Sequence, residues 1–139
     1  VSYEAGKLGV YGGVERKQID ADHTQAHRIA GAKYNFGFAS VGAYYGVKDG
    51  ATLATADTGE VKQTRLSVAA PITKGYTAHA VYFKDKTETQ ASTDNDGYKL
   101  AVTKAFSKRT TGYVAYINTN YVGSTADNQT AVVGVRHSF

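Results

Sequence analysis

Apolar and polar residues alternate along most of this chain with a period of two, the signature of a strand with one face turned to a nonpolar environment. Ala39, Val41, Ala43, Tyr45 and Val47 oppose Ser40, Gly42, Tyr44, Gly46 and Lys48. Leu66, Val68, Ala70 and Ile72 oppose Gln63, Arg65, Ser67 and Ala69, and at the end Ala131, Val133, Val135, His137 and Phe139 oppose Thr130, Val132, Gly134, Arg136 and Ser138. The pattern predicts strands near 8–19, 25–34, 38–48, 60–71, 76–86, 97–106, 111–121 and 129–139, with a stub at 1–5. Helix signals are almost absent. The stretch 76–86 does not declare its faces, because Tyr76, Ala78, Ala80 and Tyr82 stand against His79, Val81 and Phe83.

The connections between these stretches fall into two classes that alternate strictly. Gly6-Lys7, Asn35-Phe36-Gly37, Thr73-Lys74-Gly75 and Ser107-Lys108-Arg109-Thr110 are tight. Those around Asp20 to Thr24, Asp49 to Gly59, Thr87 to Asp96 and Val122 to Asn128 are longer and polar. Short turns at one end of the strands and long loops at the other are the habit of membrane barrels, and are rare in soluble sandwiches. Strands of about ten residues at ~3.3 Å each, tilted by roughly 45°, match the ~25 Å apolar band of such a barrel, whereas soluble strands average nearer 5–6 residues.

Within 111–121, Tyr113, Ala115, Ile117, Thr119 and Tyr121 share a face, against Val114, Tyr116, Asn118 and Asn120. Two tyrosines bracketing small and apolar residues are the pattern of two interfacial girdles, so Tyr113, Tyr121, Tyr45 and Phe139 are expected at the membrane interface. The apolar faces are lean in Leu, Ile and Phe, too lean for a sandwich core but sufficient where lipid fills the space. The expected fold is all-β, an antiparallel transmembrane β-barrel of eight long strands plus the N-terminal stub.

Composition changes this picture little. The 139 residues fit one domain, and 11 Tyr and 15 Gly with a single Pro suit strands and turns. The mean hydropathy of -0.37 fits a barrel as well as a soluble chain, since a barrel alternates. With no Cys there are no disulfides or thiolate metal sites. The net charge of +4 suits anionic solutes, nucleic acid or lipopolysaccharide. No Met, basic n-region or apolar h-region opens the chain, so no signal peptide is visible, and a start inside a strand-like run reads as a cut chain.

Three motifs together resemble the general, trimeric porins of Gram-negative bacteria, of the β-proteobacterial type of Neisseria, Comamonas and Burkholderia. Val133-Gly134-Val135-Arg136-His137-Ser138-Phe139 is similar to their terminal Gly-[Leu/Val]-Arg-His-x-Phe. Phe106-Ser107-Lys108-Arg109-Thr110 with Tyr113 resembles their Ser-Lys-Arg-Thr turn, and Gly31-Ala32-Lys33-Tyr34-Asn35-Phe36-Gly37 their Tyr-[Asp/Asn]-[Phe/Leu]-Gly hairpin. The resemblance implies that residues 1–139 are the C-terminal part of one 16-stranded barrel domain, a homotrimer in the outer membrane in contact with membrane lipid and lipopolysaccharide. It implies a passive channel for small ions and hydrophilic solutes. Lys104 stands where the family usually has Tyr, which weakens the girdle at that end, and nothing matches the family's constriction loop.

Lys17, Lys33, Lys48, Arg65, Lys99 and Arg136 fall on the faces assigned to the lumen, where basic rings lower the barrier for anions. Arg65 and Arg136 are the strongest candidates, because Arg stays charged and projects far; the plain alternative is a solvated wall. Phe139, with His137 and Val135, resembles the signal read by the barrel-assembly machinery, or is a simple interfacial anchor. His23 and His27 have i, i+4 spacing, but on a strand this separates them by ~13 Å, so no metal is expected. Asp85, Glu88, Asp94 and Asp96 read as a solvated outer loop, or as a divalent-ion bridge to lipopolysaccharide. No cofactor and no enzymatic activity are expected. An alternative is a small closed eight-stranded barrel acting as adhesin or anchor. Nucleic-acid binding is disfavoured, since the girdle tyrosines and the lysines are assigned to opposite faces.

Overall fold

The computed structural model describes residues 1–18, 24–49, 59–88, 94–122 and 128–139. These form nine strands: β1 (Ser2–Ala5), β2 (Leu8–Gln18), β3 (Thr24–Asn35), β4 (Ser40–Lys48), β5 (Val61–Thr73), β6 (Tyr76–Thr87), β7 (Asn95–Ala105), β8 (Thr110–Tyr121) and β9 (Asn128–His137). All pair antiparallel with their sequence neighbours in one sheet, ordered β1 through β9. The up-and-down order follows from the short turns, which allow only an adjacent antiparallel partner. Gly6 has φ 58° between β1 and β2, and Gly75 has φ 81° between β5 and β6, conformations that a side chain would strain. At 106–109, the Ser107 hydroxyl accepts from the amides of Arg109 at 3.1 Å and Thr110 at 3.0 Å, which pins that turn. The single proline, Pro71, lies at a register shift in β5, where a missing ladder donor is tolerated.

Directly paired residues share a face, so the register sorts every strand. Tyr11, Gly31, Tyr44, Arg65, Phe83, Gly97 and Thr119 lie in one row across β2 to β8. With their i±2 neighbours they define a polar face. The other face carries Val10, Ala32, Ala43, Leu66, Tyr82 and Tyr98 in the adjacent row. β6, unassigned by pattern alone, is thereby resolved: Tyr76, Ala78, Ala80 and Tyr82 join the apolar face, and His79, Val81 and Phe83 the polar one.

The register also corrects one assignment. Tyr113 pairs with Gly134, and Thr111 pairs with Arg136. Tyr113, Ala115, Ile117, Thr119 and Tyr121 therefore share the face of Lys99 and Arg136, not the apolar face. The apolar side of β8 is Gly112, Val114 and Tyr116, continuous with Val133 and Ala131 of β9. Both sides of β8 carry aromatic and aliphatic residues, so its hydropathy alone could not choose, whereas cross-strand pairing does.

The sheet has no interior of its own. Ala26 and Ala115 are the only buried apolar side chains among the described residues, while Leu66 is 50% and Val133 79% exposed. A water-soluble domain does not leave so continuous an apolar face bare. The mid-strand positions of that face are uncharged, and its charges, such as Arg28, Lys84 and Lys104, lie toward strand ends. The polar face places Lys99 mid-strand, in the row of Ser67 and Val81, where contact with lipid would cost ~2–4 kcal/mol. The magnitudes thus assign the apolar face to lipid.

Candidate functional site: the polar face of the sheet

The alternation of β2 to β9 brings Lys17, Lys33, Lys48, Arg65, Lys99 and Arg136 onto one face. Two hollows take up four of them. The larger, about 550 Å³, is lined by Lys99 and Arg136 together with His79, Thr103, Thr111 and Tyr113. His79 Nε2 lies 3.1 Å from Thr103 Oγ1. The smaller, about 320 Å³ and nearer the long connections, is lined by Glu15, Lys17, Gln25, His27, Lys48 and Gln63. Tyr44 ties two of these residues together, with its hydroxyl 3.2 Å from His27 Nε2 and donating to Gln63 Oε1 at 3.4 Å.

Arg65 differs from the other cations. Its guanidinium donates to both carboxylate oxygens of Asp85, at 2.5 and 3.1 Å, and sits 5.4 Å from the Phe83 ring centroid. A bidentate pair fixes the geometry and neutralises the charge locally. Arg65 thus stands on the face expected of it but with its charge matched, whereas no ion pair joins Lys99 or Arg136 to a carboxylate among the described residues. Asp85 also leaves the acidic group expected at 85–96. Glu88 engages the Lys62 amine, and Asp94 Oδ1 accepts from the Thr87 amide at 2.7 Å, so these carboxylates are dispersed onto separate partners.

The interfacial residues read from sequence distribute unevenly. Tyr45 stands on the apolar face, 48% exposed. Val135 and His137 share that face in β9, His137 Nδ1 lies 2.9 Å from Thr110 Oγ1, and the Phe139 ring meets the His137 ring edge-on at 5.0 Å. Tyr113 and Tyr121 do not belong to this set. The Lys104 ammonium lies 4.7 Å from the Tyr76 ring centroid and 5.5 Å from that of Phe106, between the two rings at the turn end. His27 is held by Tyr44, and His23 lies outside the described residues.

Among solved structures, the chain is similar to OmpTdeltaL8, a loop L8 deletion mutant of OmpT, an outer membrane protein of Vibrio cholerae. The TM-score is 0.69 at 18% identity, over 98% of this chain and 51% of the other. This chain thus spans about half the length of that protein. No family model and no curated protein matches. At this identity the likeness conveys the fold alone, an antiparallel sheet of outer-membrane barrel type. That fold is consistent with the outer-membrane location expected from the sequence. The exclusion of enzymatic activity does not stand. The match is to an outer-membrane protein through its fold, and one fold carries unrelated activities, so this architecture gives no ground for ruling catalysis out.

The glycine partners of the polar-face aromatics were missed in the sequence. A Cβ on Gly134 would lie 2.5 Å from Tyr113 Oη, one on Gly46 equally close to Tyr44 Oη, and one on Gly97 2.7 Å from the Phe83 ring. The Tyr11 ring covers Gly31 in the same way. The rings therefore lie along the wall over glycines. The signal was available, since Gly9, Gly13, Gly31, Gly42, Gly46, Gly97 and Gly134 all carry polar-face parity, but only the register shows that parity to be common to the strands.

Proposed function

We propose that the chain forms part of the wall of a water-filled outer-membrane channel through which small hydrophilic solutes and ions diffuse passively, with a preference for anions. In this reading the sheet continues into a closed 16-stranded barrel of the general porin type, assembled as a homotrimer. The observation that carries the reading is the one-sided charge: Lys17, Lys33, Lys48, Lys99 and Arg136 share the face opposite the lipid-facing one, and no ion pair joins them to a carboxylate among the described residues. Rings laid flat over glycine keep that face low, which suits a lumen open to solutes. β1 and β9 are not paired with each other, which favours further strands over closure of these nine alone. Phe139, with His137 and Val135, serves in this reading as the signal for the barrel-assembly machinery.

The test is conductance of the purified protein in planar bilayers. The expected result is stepwise ohmic openings with an anion-preferring reversal potential under a salt gradient. Lys99→Gln with Arg136→Gln is expected to cut the anion/cation permeability ratio by roughly half or more, since each removes an unpaired charge from the wall. Absence of openings from folded protein overturns the channel, and an unchanged ratio overturns the selectivity role.

A further inference from the structure

The lipid-facing side of the sheet carries cations that the channel reading leaves unused. Arg28, Lys62 and Lys86 fall in one row across β3, β5 and β6, with Val47 of β4 between the first two. Lys84 lies two residues from Lys86 on the same face, directly opposite Asp96 in the register. Lys62 and Lys86 are themselves directly opposed, and like charges so placed repel. Glu88 engages Lys62. Arg28 has only distant partners, Asp49 at 3.9 Å and Glu60 at 4.0 Å, and its side chain is 58% exposed. No ion pair joins Lys84 or Lys86 to a carboxylate among the described residues.

Just below this group on the same face stand Tyr82 and Tyr98, paired across β6 and β7, then an apolar groove. Its floor is Ala78 and Ala80, and its walls include Leu100, Val102, Tyr116 and Val133. Ala80 is four residues from Lys84 along β6, so the groove opens ~13 Å below the cations at ~3.4 Å per residue. Unmatched ammonium groups above an aromatic pair, with an apolar slot beneath, complement a phosphate headgroup carrying acyl chains. A free phosphate would need no groove, and an acidic peptide would not use one that lies within the apolar band.

We propose that Lys84 and Lys86 hold the phosphate of a phosphorylated glycolipid of the outer leaflet, whose acyl chain lies in the Ala78–Ala80 groove. The loop-bearing ends of the strands then face outward, as short inner turns require in membrane barrels. The site relies on the membrane-spanning reading but not on channel activity. An anion seated there relieves the opposed lysines, and membrane-surface cations of this kind each contribute appreciably to headgroup affinity.

The probe is bis-phosphorylated lipid A, titrated onto the detergent-solubilised protein and read by native mass spectrometry, with its dephosphorylated form and inorganic phosphate as separate arms. Heat-modifiable migration on gels reports folding. The expected result is retention of bis-phosphorylated lipid A, weakened roughly tenfold in Lys84→Gln/Lys86→Gln and preserved in Lys84→Arg/Lys86→Arg. If the double glutamine variant does not fold, Lys86→Gln alone is expected to weaken binding about threefold. Equal affinity in the folded glutamine variants, or equal retention of the dephosphorylated lipid, overturns the proposal. Displacement of the lipid by millimolar inorganic phosphate overturns the acyl contribution and leaves a free-anion site. A protein that stays soluble without detergent refutes the membrane reading instead, so the two failures are distinct.

Discussion

Aromatic residues occupy both faces of this sheet, but they do different things on each. On the apolar face some gather near the short turns and others, such as Tyr82 and Tyr116, stand mid-strand. Tyr34 and Phe36 meet edge-on at 4.7 Å near one short turn, Tyr76 and Phe106 flank Lys104 near others, and Tyr98 lies 6.1 Å from Tyr116 further along. There the rings face outward into the medium that wets them. On the polar face Tyr11, Tyr44, Phe83 and Tyr113 lie against glycines of their own or the next strand. The same residue type is a membrane anchor in one place and a wall tile in the other. The difference lies in the neighbour: the polar-face rings fold down over glycines, whereas on the apolar face Phe106 has such a glycine, Gly112, and Tyr34, Tyr45, Tyr82 and Tyr98 do not.

The largest effect that would break this comparison is a charge placed on each face in turn. Leu66 and Ser67 are adjacent in β5, on opposite faces. Leu66→Arg puts a guanidinium mid-strand on the apolar side, and is expected to cost ~2–4 kcal/mol in denaturant unfolding from lipid vesicles. Ser67→Arg puts it in Lys99's row on the polar side and removes one hydroxyl hydrogen bond to the Gly42 carbonyl, for ~1 kcal/mol or less. Equal costs for the two would show that the faces do not differ in their surroundings.

A second test concerns the glycines beneath the rings. At Gly97 an added methyl would strike the backbone carbonyl of Asn118 as well as the Phe83 ring. At Gly134 its three nearest contacts would all be Tyr113 side-chain atoms, the hydroxyl at 2.5 Å. Backbone cannot yield as a ring can. Gly97→Ala is expected to cost near the top of the ~1–3 kcal/mol range for overpacking, and Gly134→Ala near the bottom, with the Tyr113 ring swung away from the wall. Unfolding midpoints of the two variants give the costs. A Gly97→Ala protein as stable as Gly134→Ala would mean that β8 can shift freely against β7.

These contrasts also mark what the chain states openly. Strand existence was legible throughout, because alternation is a local property, and the boundaries agree within a few residues. The lysines and arginines were assigned to their common face because Lys33, Lys48, Lys99 and Arg136 each oppose apolar neighbours within their own strand. β8 was not legible, since Val114 and Tyr116 on one side look no more apolar than Ala115 and Ile117 on the other. Its pairing with β9 decides, through Tyr113 against Gly134 and Thr111 against Arg136. The Arg65–Asp85 pair was also hidden: the two residues are 20 apart in sequence, and only the β5–β6 register brings them together. What is local in period was readable, and what depends on a partner strand was not.

The smallest effect sharpens the apolar side of the comparison. Lys104 faces lipid from β7, where a lysine is costly unless its charge reaches a partner or the interface. Its ammonium finds two rings, Tyr76 at 4.7 Å at the start of β6 and Phe106 at 5.5 Å just after β7. Lys104→Ala removes both cation–π contacts and is expected to cost ~0.5–1 kcal/mol in vesicle-supported unfolding. Lys104→Tyr replaces the cation with a third ring in the same band, and is expected to be neutral or mildly stabilising, since interfacial tyrosine is itself favourable at that depth. The order of the three midpoints separates the explanations. If Lys104 acted only as a solvated charge at the strand end, Lys104→Tyr would fall with Lys104→Ala. If the aromatic band is what the position serves, the tyrosine variant keeps pace with the parent while the alanine variant drops.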